Sequence, residues 1–248
     1  MSHQNSTISV NTIEPQSGTT LTMGQSGQNV VVNADSIKNN ALKDAGGNAI
    51  FTSDGSGSLS GLNSGLGGAW TLIQSQTASG NASISFTSGI DSTYDEYIVD
   101  IVNVHPSTGS EVVFYFQCST DGGSNYNTTV TNTAFNIYHR ENDATATYAY
   151  AAGMTQAQGT AFISMSNTSG VESDRCMCHT LHLYDLASTT YVKNYIFQSQ
   201  LMDGNTPAFS QWDGAGGYFN TTSAINAIQF KFASGNIDAG TLKLYGVK

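Results

Sequence analysis

Val112-Val113-Phe114-Tyr115-Phe116-Gln117-Cys118-Ser119-Thr120-Asp121-Gly122-Gly123-Ser124 is the stretch on which the reading of the fold turns. Val112, Phe114, Phe116 and Cys118 alternate with Val113, Tyr115 and Gln117, the two-residue period of a β-strand with one face in a core. The Ser/Thr/Asp/Gly run after it has the composition of a hairpin turn.

Upstream, Tyr97-Ile98-Val99-Asp100-Ile101-Val102-Asn103-Val104 is apolar on both faces, as in a strand covered on both sides. Near the other end Ile228, Phe230 and Phe232 alternate with Gln229 and Lys231, and Ser234-Gly235-Asn236 turns the chain toward Thr241-Leu242-Lys243-Leu244-Tyr245 as a second strand pair. Further strand candidates are Phe135 to His139, Thr147 to Ala151, Ala161 to Met165, Cys176 to Leu186 and Tyr191 to Leu201. Helical periodicity is weak; Asp35 to Lys43 is the best stretch for a turn or two. About eight to ten strands joined by Gly and Asn turns predict an all-β fold, a jelly-roll-like β-sandwich, over residues 70–248.

Residues 1–69 have another texture. Short apolar touches (Ile8-Ser9-Val10, Leu21-Thr22-Met23, Val30-Val31-Val32, Ala49-Ile50-Phe51) are each followed by turn residues, so each makes a minimal strand with little to bury inside one chain. Packing against copies of itself, or lying along a partner, is how such an arm gains a core. Gly55 to Gly68 has the composition of a flexible linker, which divides the chain into an N-terminal docking or shaft arm, 1–69, and a β-sandwich domain, 70–248.

Charged residues make up 10% of the 248, and Gly, Ser, Thr, Asn and Gln fill the gap; the surface is polar but largely uncharged. With 39% hydrophobic residues, 12 Tyr and 11 Phe, the chain has the apolar surface to fold. Eighteen acidic against eight basic residues give a net charge of −10, which repels phosphate backbones and argues against nucleic-acid binding. No apolar run approaches the roughly 20 residues of a membrane-spanning helix, and Met1-Ser2-His3-Gln4-Asn5 lacks the basic and apolar regions of a secretory signal. The expectation is a protein made in the cytoplasm that neither enters a membrane nor leaves by the signal-peptide route.

The motifs of phosphate loops, zinc proteases, hydrolase nucleophile elbows and calcium loops do not occur. No catalytic residue and no cofactor is therefore expected; lone acids and bases such as Asp95, Glu96, Asp100, His105, His139 and Glu141 have solvent-facing roles as their ordinary reading. Cys118, Cys176 and Cys178 are odd in number. Cys176 and Cys178 in a strand stand about 6.5–7 Å apart between Cα atoms, at the upper edge of disulfide geometry. Strand alternation puts Cys176, Cys178 and His182 on one face as candidate metal ligands, with His179 on the other beside Met177 and Leu181, but a structural metal site normally draws its ligand pairs from separate turns. Tyr126, Trp212, Tyr218 and Phe219 stand beside Gly- and Asn-rich segments and are the candidate platform for a glycan; core or interface packing is the alternative for the same rings.

Ile8-Ser9-Val10-Asn11-Thr12-Ile13-Glu14-Pro15-Gln16-Ser17-Gly18-Thr19-Thr20-Leu21-Thr22 resembles the N-terminal segment of tail-fibre and virion structural proteins of tailed bacteriophages, marine ones especially. Leu42 to Gly57 is similar to a recurring piece of their shafts, and the region from Trp70 to Gly240-Thr241-Leu242-Lys243-Leu244-Tyr245-Gly246-Val247 is similar to their C-terminal β-domains. The resemblance implies a homotrimer in the virion, attached to other virion proteins through residues 1–69, with an outward domain for host attachment, and it carries over no catalytic residue. Host surface glycan is the ligand class this suggests. A capsid decoration or head-fibre protein is the alternative placement, and a polysaccharide depolymerase is the enzymatic alternative, which would need paired carboxylates at a set separation.

Overall fold

The structure, a computed structural model, describes residues 41–44, 48–53, 56, 59–62, 70–109, 112–166, 172–203 and 208–248. The apolar touches at 8–10, 21–23 and 30–32 lie outside them. The chain divides into two units, 1–63 and 64–248.

In the first unit β1 (Ala41–Lys43), β2 (Ala49–Ser53) and β3 (Leu59–Leu62) form an antiparallel sheet in sequence order. Asp44 and Asn48 close the first turn: the Asn48 backbone N–H donates to Asp44 Oδ1 at 2.8 Å and its amide to Oδ2 at 3.1 Å, the local side-chain bonding these residues favour in turns. Ala41–Lys43 is thus strand where a helical turn was expected, and the rest of that expectation, 35–40, lies outside the described residues. Part of the stretch read as linker is β3 itself. Leu42 stays exposed, in keeping with strands too short to bury much.

The second unit contains twelve strands among its described residues: β4 (Trp70–Thr77), β5 (Ile84–Phe86), β6 (Glu96–Pro106), β7 (Phe114–Ser119), β8 (Val130–Arg140), β9 (Ala146–Tyr150), β10 (Ile163–Ser164), β11 (Met177–Tyr184), β12 (Lys193–Asp203), β13 (Phe209–Phe219), β14 (Ala227–Phe232) and β15 (Ile237–Val247). An eight-stranded sheet has the order β4-β15-β6-β11-β12-β13-β8-β9, and a four-stranded sheet the order β10-β7-β14-β5. All pairings are antiparallel. Three of them nest: β8 with β13, β7 with β14, β6 with β15, alternating between the large sheet, the small one and the large one. That is a two-stranded ribbon rolled across a sandwich, the jelly-roll-like arrangement expected, with the β11–β12 hairpin widening the large sheet.

Two connections differ from the sequence reading. The Ser119–Ser124 turn and the Ser234–Asn236 turn are real turns, but β7 and β14 are in the small sheet while β8 and β15 are in the large one. Neither closes a hairpin; each carries the chain across the sandwich edge. Composition marks a reversal but does not say which sheet receives the next strand. The Asp121 carboxylate organises the first turn, accepting from Ser119 Oγ at 2.6 Å, the Asn125 N–H at 2.9 Å and the Asn125 amide at 2.7 Å, and these donors draw its pKa down to about 2.

The core lies between the sheets. Phe114, Phe116 and Phe230 of the small sheet are fully buried. Phe116 meets Tyr195, Phe197 and Phe219 of the large sheet edge-on, at centroid distances of 5.4, 6.2 and 6.3 Å, the favoured geometry for buried rings. Truncating such a ring costs about 3–5 kcal/mol in general. On β12 the alternation is unbroken: Lys193, Tyr195, Phe197, Ser199 and Leu201 face inward and Asn194, Ile196, Gln198 and Gln200 outward.

Candidate functional site

The feature that sequence reading missed is β13. Phe209-Ser210-Gln211-Trp212-Asp213-Gly214-Ala215-Gly216-Gly217-Tyr218-Phe219 contains the Gly-rich run that looks like a loop, yet it pairs along its full length with β12 and β8. Its alternation puts Gln211, Asp213, Ala215, Gly217 and Phe219 inward and Trp212, Gly214, Gly216 and Tyr218 outward. Gly217 has to be glycine, because a Cβ there would stand 2.5 Å from the Asn132 Cβ and 2.6 Å from the Thr131 carbonyl oxygen.

Register then assembles the outer face of the large sheet row by row. One row runs Cys178, Gln200, Trp212, Ile137, Tyr148; the next Thr180, Gln198, Gly214, Phe135, Tyr150; the third His182, Ile196, Gly216, Thr133. Two successive outward glycines on a central strand leave a trough between large neighbours. It has a volume of about 350 Å³ and is lined by Phe135, Ile196, Gln198, Trp212, Gly214 and Gly216, among others. The Phe135 ring lies over Gly214, where a Cβ would meet it at 2.6 Å. Behind Trp212 the rings continue, Phe135 at 5.3 Å and Tyr148 at 5.7 Å from Phe135. Trp212 is 37% exposed and Ile196 50%.

The whole face shares this character. Of the ten large apolar side chains most exposed among the described residues, all but Leu42 and Tyr191 belong to it, a concentration unlike the scattered apolar residues of an ordinary exterior. Beyond Trp212 the trough passes into a second hollow lined by Asp100, Val102, Cys178, Thr180, Gln198 and Gln200.

Of the four rings expected as a platform, only Trp212 stands exposed at this trough. Tyr218 is on the same outward column, half-buried beyond Gly216. Tyr126 is in the β7–β8 connection, half-buried over the Asp121 turn. Phe219 is fully buried and packs 5.3 Å from Tyr195, so it is core, for the reason that its odd position on β13 faces inward. Ile196, Gln198 and Phe135 reach the site only through cross-strand register, which no local pattern encodes.

Cys178 and His182 share the outer side of β11, with His179 buried opposite, and Cys176 immediately precedes the strand. They do not converge. Both thiols donate to Asn103 Oδ1 at 3.4 Å, where Asn103 adopts a left-handed φ of 55° at an irregularity of β6, whereas His182 Nδ1 lies 2.6 Å from Glu96 Oε1. No cluster of three or more His, Cys, Asp or Glu with metal-binding geometry occurs among the described residues. Two more of the acid and base candidates are in pairs, His105 with Asp238 at 2.7 Å and His139 with Asp143 rather than Glu141 at 2.8 Å. No helix of the described residues is long and apolar enough to cross a membrane.

Comparison of the chain with protein-family models, with curated proteins and with solved structures finds no match.

Proposed function

We propose that this chain is a non-enzymatic surface protein of a tailed-phage virion, a trimeric fibre or spike that is held to the particle through residues 1–69 and presents its sandwich outward to the host. The observation that carries the reading is the uncovered aromatic outer face of the eight-stranded sheet. A chain with 10% charged residues that still leaves its exposed apolar side chains gathered on one sheet has a face made for contact. The arm and the sandwich are separate units, which suits a division between attachment and presentation.

Gold-labelled antibody on intact particles tests this. Label at the tail, with three copies per assembly by sedimentation, is the expected result. Label over the head would move the protein to capsid decoration. A stable monomer that labels no particle would end the virion reading.

A further inference from the structure

We infer that the trough over Gly214 and Gly216 is the seat of a single ring of a neutral saccharide, stacked on Trp212. The inference rests on the outward-facing role proposed above and names the ligand that role would use.

The size admits one small ring system: about 350 Å³ is at the lower end of the roughly 300–1,000 Å³ usual for small-molecule sites. The lining then selects its chemistry. Trp212, Phe135 and Ile196 offer flat apolar surface, which suits the C–H face of a pyranose. No Lys, Arg, Asp or Glu lines the trough, and its one ionisable side chain, His182, is engaged by Glu96 at 2.6 Å. An anionic ligand would find no counter-charge there and would approach a chain of net charge −10.

A purely apolar ligand is a poorer fit, because the rim has polar groups with nothing to bond. The Gln198 amide is exposed, and neither it nor the Trp212 indole N–H makes a hydrogen bond among the described residues. Gln200 beside them is different, its amide already donating to Ser210 Oγ at 2.9 Å. A ligand with an apolar face and a hydroxyl-bearing edge uses both kinds of surface, and a saccharide has that constitution. The site is also set before binding: Phe135 is pinned between Gly214, Trp212 and Tyr148, so little side-chain freedom remains to be lost.

The experiment uses the full chain on a printed array of neutral and acidic oligosaccharides, followed by titration of the best neutral hit against Trp70→Phe protein, whose fluorescence then reports Trp212 alone. Binding of neutral rather than acidic saccharides, with a change in Trp212 emission, is expected. Trp212→Ala abolishes it, and Gly216→Ala lowers affinity at least about tenfold with an unchanged melting temperature, since the new Cβ meets its nearest neighbour, Ile196, at an ordinary 3.5 Å. Three outcomes would overturn the inference: no neutral hit, binding untouched by Trp212→Ala and Gly216→Ala, or Trp212 emission that changes with protein concentration alone and so reports a second copy on this face. Particle labelling decides the virion reading independently. Label with no saccharide bound rejects only the trough, and saccharide bound with no label rejects only the virion.

Discussion

The imidazole of His179 lies almost parallel to the ring of Phe114, with centroids 5.2 Å and planes 23° apart, and neither of its nitrogens has a hydrogen-bond partner among the described residues. Its cross-strand neighbours on the same face, Ile101 and Ser199, carry no charge. Burial therefore favours the neutral ring and pushes its pKa down to about 3 from 6.5.

The sign of the pH dependence follows. The unfolded chain takes up this proton near pH 6.5 and the folded chain only near pH 3, so the unfolded state binds more protons between those values. Stability is full above about pH 6.5 and falls as pH drops toward 3, by about 1.4 kcal/mol per pH unit inside that window. Thermal melts from pH 7 to 4.5 will show the decline, and His179→Leu will flatten it. The lowered carboxylates Asp91 and Asp121 act in a separate window, since their contribution is lost only as pH falls below their ordinary 3.8. A decline of equal slope in His179→Leu would refute the assignment.

Lys193 is fully buried at the start of β12, and its ammonium donates to three backbone carbonyls, those of Ser188, Tyr191 (2.9 Å) and Thr221 (3.2 Å). It ties the β11–β12 turn to the segment after β13. Lys193→Met keeps the stem and removes the donors, leaving carbonyls without partners, at a cost of about 3 kcal/mol. The urea midpoint measures this, and Lys193→Arg should not restore it, because a planar fork cannot replace a compact three-donor head.

Adjacent glycines of β13 should behave as opposites. Gly217→Ala drives a methyl into the β8 backbone, while Gly216→Ala points one into open trough. We expect Gly217→Ala to lower stability by about 2–3 kcal/mol and Gly216→Ala to be nearly neutral. Equal melting temperatures would show that the register of β13 against β8 is wrong.

Thiol titration separates the three cysteines. Cys118 is wholly buried, and burial raises its pKa, whereas Cys176 and Cys178 are half-exposed. Two equivalents should react with an aromatic disulfide reagent in the folded protein and the third only in denaturant. Burial and its neighbour Cys178 raise the Cys176 pKa as well, so the faster phase should accelerate with rising pH.

Alternation made β7, β12 and β14 legible, because each places large apolar residues every second position over a deep core. β6 was legible as a strand from its continuous apolar run, but it is not covered on both sides as expected: Val102 on its outer face is exposed. β13 escaped for a physical reason: at Gly214 and Gly217 the strand needs to be thin, once under the Phe135 ring and once against β8, and thinness has the same letters as a turn. Trp212 was readable as a candidate by its type. Its partners were not, since Ile196 and Phe135 lie on other strands and join it only through pairings between residues many positions apart.

β15 fills the slot between β4 and β6, so Trp70 stands opposite Val247 and Glu96 does too. On a ribosome this means that the earliest strands of the domain wait, edges unpaired, until Ile237–Val247 has emerged. Acquisition of the native sheet then depends on pairings between residues far apart in the chain, at the slow end for a single domain, and a chaperone that shields strand edges would act during that interval.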